Sequence, residues 1–144
     1  MLPPVYFLAA LLVMVTLHYS MPGMRLIDTP WRYSGIILIA GGIGIILWAA
    51  LLFRRAGTAI KPFEESSALV AAGPYRLTRN PMYLGMAGTL LGTGVMLGSV
   101  TPLLVVPAFA VTIDLRFIRY EEAALERAFG REYIDYRSRV RRWL

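Results

Sequence analysis

The residues best suited to chemistry lie in one short stretch that begins at Gly73 and ends at Gly85. It reads Gly-Pro-Tyr-Arg-Leu-Thr-Arg-Asn-Pro-Met-Tyr-Leu-Gly. Two tyrosines, two arginines and an asparagine therefore stand at the entrance of an uncharged run, 80–113. Because so long an apolar run belongs in lipid, we expect the polar cluster where a membrane helix meets water. Such a position suits a site that holds a polar cofactor beside a lipophilic substrate.

A second polar cluster, 114–122, follows the far end of the same run. As one helix, the 34 residues of this run would measure about 50 Å, far more than one membrane crossing. Gly98, Ser99 and Pro102 indicate a break in the middle. The pattern thus predicts a tight helical hairpin, which returns both polar clusters to the same side. Asp114 and Glu121 are seven residues apart, so we expect them to share one helix face.

Composition supports a membrane protein with one domain, 1–144. Hydrophobic residues make up 57% of the chain, above the roughly 45–50% of soluble domains, and they come in blocks. The chain has no cysteine and one histidine, His18, so we expect no metal site of the usual zinc type. The net charge of +6 lies mostly at the ends of apolar blocks, which favours contact with anionic lipid headgroups over nucleic acid.

The predicted fold is all-α and polytopic, with four transmembrane helices and amphipathic helices at the carboxyl terminus. The four predicted spans are 5–19, 33–53, 82–97 and 103–119. Basic residues concentrate in the loop 54–81 and in the tail 120–144, so the positive-inside rule places both termini and the site on the cytoplasmic side of an inner membrane. We expect the tail helices to lie on the membrane surface, hinged at Gly130 and anchored by Tyr133 and Trp143.

Two motifs together resemble a known family. They read Gly73-Pro74-Tyr75-x-x-x-Arg79-Asn80-Pro81-x-Tyr83-x-Gly85 and Glu121-Glu122-x-x-Leu125-x-x-x-Phe129-Gly130-x-x-Tyr133-x-x-Tyr136. In order and spacing they resemble the integral-membrane isoprenylcysteine carboxyl methyltransferases, whose wider relatives include the phospholipid N-methyltransferases. The likeness covers about half of the chain, from residue 60 to the end.

The resemblance implies a site for S-adenosyl-L-methionine on the cytoplasmic side, enclosed by the hairpin and the tail. The residues expected to bind this cofactor are Ser67, Ala68, Leu69, Val70, Tyr75, Asn80, Pro81, Met82, Tyr83, Gly85 and Glu121. Of these, Asn80, Tyr83 and Glu121 are the expected catalytic residues. The family's commonest residue at position 80 is histidine. Asparagine can donate hydrogen bonds but cannot become cationic, which favours a positioning role over proton transfer.

The methyl acceptor implied by the resemblance is lipophilic and enters from the bilayer. Methyl transfer from a sulfonium needs alignment more than a protein nucleophile. A carboxylate acceptor arrives ionised, and Arg116 or Arg119 could hold it. An amine acceptor would need a base, for which Asp114 or Glu122 could serve, although Glu122 is also expected to form a surface ion pair with Arg119.

Carboxyl O-methylation of an isoprenylcysteine-like or other small lipophilic substrate is the first interpretation. N-methylation of a lipid amine is the alternative within the enzyme class. A noncatalytic membrane scaffold or accessory subunit is the alternative outside it. Membrane lipids are expected partners in every case, and the sequence leaves the oligomeric state open.

Overall fold

A computed structural model of the chain describes residues 2–57 and 68–144. The regular secondary structure of the described residues is helical, as the sequence predicts, apart from two isolated β-bridges. The helices are α1 (Pro3–Ser20), α2 (Gly35–Ala56), α3 (Pro81–Leu97), α4 (Val100–Ile113), α5 (Arg119–Phe129) and α6 (Arg131–Arg139). Single 3₁₀ turns at Trp31–Ser34 and Gly73–Arg76 precede α2 and α3. The long helices pack in the order α2, α3, α4, α1, with α1 also touching α3.

The contact between α2 and α3 is a seam of glycines. Gly35 faces Gly92, and Gly42 faces Gly85, in an antiparallel register. A Cβ atom added to Gly42 would lie 2.5 Å from the carbonyl oxygen of Gly85, and one added to Gly85 would lie 2.6 Å from that of Gly42. Only glycine lets the two backbones approach so closely, which is how small residues drive helix association in lipid.

The seam predicts opposite outcomes for two neighbouring substitutions on α2. In Gly42→Ala the new methyl group meets backbone, so we expect destabilisation by about 1–3 kcal/mol. Gly41 has open space around it, so Gly41→Ala should be neutral or stabilise the helix by up to about 1 kcal/mol. Thermal unfolding in detergent micelles measures both variants. Equal shifts in the two would contradict the seam.

The hairpin between α3 and α4 turns where the sequence places the break. Gly98 ends α3 in the left-handed region, at φ 75°, which glycine adopts without steric cost. The helix α4 already begins at Val100, with Pro102 inside its first turn, rather than at the expected residue 103. Differences of one to three residues at the other predicted span ends are of the size expected for fraying helix termini.

The helix that carries the fourth predicted span does not end at Arg119. A wide turn of π-helix, Asp114–Ile118, joins α4 to α5, so the helical path continues from Val100 to Phe129. The helix ends only at Gly130, whose φ of 52° supplies the predicted hinge before α6. The polar residues 119–122 are therefore a rigid extension of the apolar helix.

Helix length and exposed surface identify an integral membrane protein. Among the described residues, Pro3–Ser20, Trp31–Ala56 and Val100–Phe129 are long and apolar enough to cross a membrane, and α3 is a shorter apolar helix of 17 residues. Large apolar side chains stand exposed on the outer faces of α1 and α2, for instance Leu12 at 68% and Ile37 at 75%. Surfaces of this kind are stable against lipid rather than water.

The interior between α1, α3 and α4 is packed by aliphatic and aromatic side chains. Met14, Leu90 and Ile113 are fully buried, and the Tyr6 ring meets that of Phe117 edge-on at 5.3 Å. Tyr6 lies near the start of α1, while His18 near its end bonds Ser99 in the hairpin turn. These two contacts place the first residues of α1 at the end of the bundle that carries 114–122, and its last residues at the end that carries the hairpin turn.

Candidate functional site

The two motif segments meet through a short hydrogen bond. The Tyr83 hydroxyl donates to Oε1 of Glu121 at 2.6 Å, across 38 positions of sequence. Tyr83 lies in the first turn of α3 and is buried, and Glu121 lies in the first turn of α5. A hydroxyl bond to a carboxylate of this length is among the stronger hydrogen bonds. The hairpin thus brings together the residues that the sequence analysis predicted to share a site.

An ion-pair cluster lies directly beside this bond. Arg142 holds Glu122 as a fork, with Nη2 at 2.7 Å from Oε2 and Nε at 3.0 Å from Oε1. Its remaining nitrogen, Nη1, donates to Asp114 at 3.2 Å. Arg79 approaches Glu122 at 3.3 Å, with both side chains about nine-tenths buried. Arg119 completes the cluster by donating to Asp114 at 3.1 Å.

This cluster corrects two expectations. Asp114 does not share a face with Glu121; Asp114 and Glu122 converge on Arg142 instead. The π turn at Asp114–Ile118 holds an extra residue, which rotates the following helix by roughly 100°. For the same reason Arg119 pairs with Asp114 rather than with Glu122.

Asn80 holds the carboxyl-terminal segment. Its Nδ2 donates to the carbonyl oxygen of Arg142 at 3.0 Å, and the Thr78 hydroxyl donates to the same oxygen at 3.0 Å. The backbone N–H of Arg79 donates to the carbonyl of Arg141 at 2.9 Å. The tail thus runs beside the motif, and this contact agrees with a positioning role for Asn80. This docking of the tail was not predicted from the sequence; the signal for it is the arginine pair 141–142, which is opposite in charge to the glutamate pair 121–122.

Three buried tyrosines, Tyr75, Tyr133 and Tyr136, lie next to the ion-pair cluster. Burial raises the pKa of Tyr75 above its usual range, assisted by Tyr136 and Glu121, and burial raises the pKa of Tyr136 to about 12. Both phenols therefore stay neutral, and Tyr136 donates to the backbone oxygen of Tyr75 at 2.7 Å. Tyr133 is 1% exposed, and its hydroxyl oxygen accepts a hydrogen bond from Nη1 of Arg79 at 3.4 Å. Because the side chain is buried in the protein, its expected role as an interfacial anchor is wrong.

The other predicted site residues fall into three groups. Ala68, Leu69 and Val70 are partly buried and lead into the motif, and Ser67 lies outside the described residues. Pro81 and Met82 open α3 beside Tyr83. Gly85 faces α2, so close helix packing accounts for its missing side chain.

A groove runs along the outer side of the wide turn. It encloses about 260 Å³ and is lined by Ala110, Val111, Asp114, Leu115, Arg119 and Trp143. The apolar side of the groove, formed by Ala110, Val111, Leu115 and Trp143, thus adjoins the Asp114–Arg119 ion pair where the apolar helix becomes polar. Of the two arginines predicted to bind substrate, Arg119 lines this groove, whereas Arg116 is exposed and does not line it.

The buried cluster predicts that neutralising Glu122 destabilises the protein. Glu122→Gln leaves the guanidinium of Arg79 buried without its counter-ion, which should cost about 3 kcal/mol. Glu126→Gln is the matched control, because Glu126 is 46% exposed and its ion pair with Arg137 should contribute under about 1 kcal/mol. Thermal unfolding in detergent compares them; a Glu122→Gln variant as stable as the control would show that the cluster is not an energetic unit.

Comparison with known proteins gives the family of the chain. The family model described as phospholipid methyltransferase matches residues 31–132, from just before α2 to the start of α6. The chain belongs to this family. Protein-S-isoprenylcysteine O-methyltransferase A of Arabidopsis thaliana is 36% identical over 140 residues, covering 92% of this chain and 68% of that protein. Phosphatidylethanolamine N-methyltransferase of Homo sapiens is 33% identical over 106 residues, covering 72% and 53%.

A solved structure shares the fold of this family member. The eukaryotic intramembrane Ras methyltransferase ICMT (isoprenylcysteine carboxyl methyltransferase) superposes with a TM-score of 0.73 at 22% identity, covering 98% of this chain and 51% of that one. The chain spans 39% of isoprenylcysteine O-methyltransferase B of Arabidopsis, at 41% identity over 80 residues. It therefore corresponds to about half the length of several of its relatives.

Proposed function

We propose that this protein is an S-adenosyl-L-methionine-dependent methyltransferase that acts on a lipophilic acceptor, and that the acceptor's methylated group is a carboxylate. The observation that carries the proposal is the 2.6 Å bond between Tyr83 and Glu121, which joins the two motif segments at the end of an apolar bundle. Membership of a family of methyltransferases supports it.

The residues around this bond fit the polar groups of the cofactor. Within the described residues, Tyr83 is the side chain that donates to Glu121, so the carboxylate keeps acceptor capacity for an ammonium group or ribose hydroxyls. The aromatic rings of Tyr75 and Tyr83 offer faces for a sulfonium cation. When bound, the cofactor supplies an electrophilic methyl group. Tyr83 then orients Glu121, and Ala68–Val70 offer backbone contacts.

The ion pairs favour a carboxylate acceptor over an amine. Asp114 receives hydrogen bonds from Arg119 and Arg142, and Glu122 is held by Arg142 and Arg79. Asp114 and Glu122, the two carboxylates considered as bases for an amine acceptor, are therefore not free to take its proton. A carboxylate acceptor needs no base, and Arg119 at the edge of the groove could hold it while the apolar side of the groove contacts its lipid chain.

The proposed topology has four crossings. The glycine seam keeps α3 alongside α2 from Gly85 to Gly92, so we propose that α3 crosses with its neighbours despite its 17 residues. The site end of the bundle carries Arg54, Arg55, Arg76 and the arginines of the tail. By the positive-inside rule this end faces the cytoplasm, where the cofactor is available.

Binding of S-adenosylhomocysteine tests the cofactor site. We expect the wild-type protein in detergent to bind it, and Glu121→Gln to bind it at least about tenfold more weakly, since a hydrogen bond to a charged group contributes about 1.5–3 kcal/mol. Glu132→Gln removes an exposed carboxylate on α6 and should bind like the wild type. Isothermal titration calorimetry gives the affinities. Absence of binding to the wild type at millimolar ligand would favour a noncatalytic membrane protein.

A choice of two acceptors tests the methylated group. With labelled cofactor in lipid nanodiscs, we expect an isoprenylated cysteine with a free carboxylate to be methylated and phosphatidylethanolamine to remain unlabelled. Arg119→Gln should lower the rate by at least about tenfold, whereas Arg116→Gln should not. Labelling of phosphatidylethanolamine alone would replace the proposed acceptor by a lipid amine, in agreement with the similarity to the human N-methyltransferase.

A further inference from the structure

The carboxyl-terminal segment, 140–144, makes more specific contacts with the site than a membrane anchor needs. Its backbone pairs with the motif at Thr78 and Arg141 in a parallel bridge. The carbonyl oxygen of Arg142 accepts hydrogen bonds from Thr78 and Asn80. Trp143 packs against the hydrophobic interior. The segment is therefore docked by backbone, charge and apolar contacts together.

The side chain of Arg142 bridges the two ends of the wide turn. One nitrogen binds Asp114 at the first residue of the turn, and two bind Glu122 beyond its end. All three guanidinium nitrogens are thus engaged, and by different helical segments. Because a π turn is less regular than an α-helix, a bridge across it fixes how far α5 is rotated relative to α4.

That rotation decides where Glu121 points. Neighbouring residues on a helix project roughly 100° apart, so with Glu122 held by Arg142, Glu121 is directed to Tyr83. Arg142 also holds the segment that carries Tyr83, because its carbonyl oxygen accepts a hydrogen bond from Asn80, which immediately precedes α3 and lies three residues before Tyr83. Arg142 therefore restrains both sides of the Tyr83–Glu121 hydrogen bond.

A second cation lets the fold survive without Arg142. Arg79 lies 3.3 Å from Glu122, and its Nε is buried without a hydrogen-bond partner within the described residues. If the guanidinium of Arg142 is removed, Arg79 still compensates the buried carboxylate. We therefore expect loss of Arg142 to loosen the orientation of α5 more than it unfolds the bundle.

We infer that Arg142 is a positioning residue of the cofactor site, acting through Glu122 and Asn80 on the Tyr83–Glu121 pair. The inference rests on the proposed function. It extends that function to the last residues of the chain, which then serve as part of the site. In this role the fork geometry matters as well as the charge, because a single ammonium group cannot bridge Asp114 and both oxygens of Glu122.

Two substitutions and a matched control test the inference. Arg142→Gln should weaken S-adenosylhomocysteine binding about tenfold, and Arg142→Lys, which keeps the charge and a bond to Glu122, should weaken it by a smaller factor. Arg139→Gln removes the same charge from an exposed position on α6, outside the segment 140–144, and should bind like the wild type. Calorimetry in detergent measures the affinities. If Arg142→Gln does not fold, the affinity of Arg142→Lys provides the test.

Hydrogen–deuterium exchange separates positioning from direct contact. In Arg142→Gln without ligand, amides of α5 should exchange faster, while those of the α2–α3 seam should not change. Wild-type affinity in both Arg142 variants would overturn the inference. So would weakened binding with unchanged exchange in α5, because Arg142 would then touch the ligand itself. If the wild type binds no S-adenosylhomocysteine, the proposed function fails, and the exchange of α5 alone decides whether Arg142 positions that helix.

Discussion

The wide turn at Asp114–Ile118 is the constraint on which the site depends. It adds one residue to an otherwise continuous helix, and so gives the two adjacent glutamates different tasks. Glu121 accepts a hydrogen bond from Tyr83, while Glu122 binds the guanidinium groups of Arg142 and Arg79. In an uninterrupted α-helix the partner of Arg142 at position 114 would lie on the face of Glu121. π turns of this kind are frequent at functional sites.

The ion pairs compensate the buried charges at the end of the apolar bundle. Charged side chains at the end of an apolar bundle lose much of their hydration, and an unpaired one is costly. Here every buried charge of the cluster has an opposite charge within 3.3 Å. Glu121 is set apart from this compensation, since its described bond comes from a neutral phenol. Because none of the described arginines of the cluster occupies it, the Glu121 carboxylate can accept hydrogen bonds from a polar ligand.

The helical fold, the hairpin break and the meeting of the two motif segments could be predicted from the sequence. Apolar blocks, Gly98 and the positions of the basic residues carry that information. The rotation of α5 could not be predicted, because a wide turn leaves no residue signature in a single chain and the residue that bridges it, Arg142, lies 20 residues beyond Glu122. The burial of Tyr133 was missed for a similar reason. A tyrosine on an amphipathic helix looks like an interfacial anchor until Arg79 is known to lie beside it.

The glycine seam between α2 and α3 has a consequence for how this half of the bundle assembles. Glycine has no side chain to immobilise, so the glycines of the seam lose no rotamer entropy when the two helices associate. The contact also presents backbone carbonyl oxygens to Cα–H groups of the facing helix, a weak attraction that needs no side-chain fit. The seam thus makes no use of the face of α2 that carries Gly41 and Gly44, where no atom of the described residues lies within 4 Å of an added Cβ atom. The residues on that surface can therefore vary with the lipids that surround the protein without changing the seam.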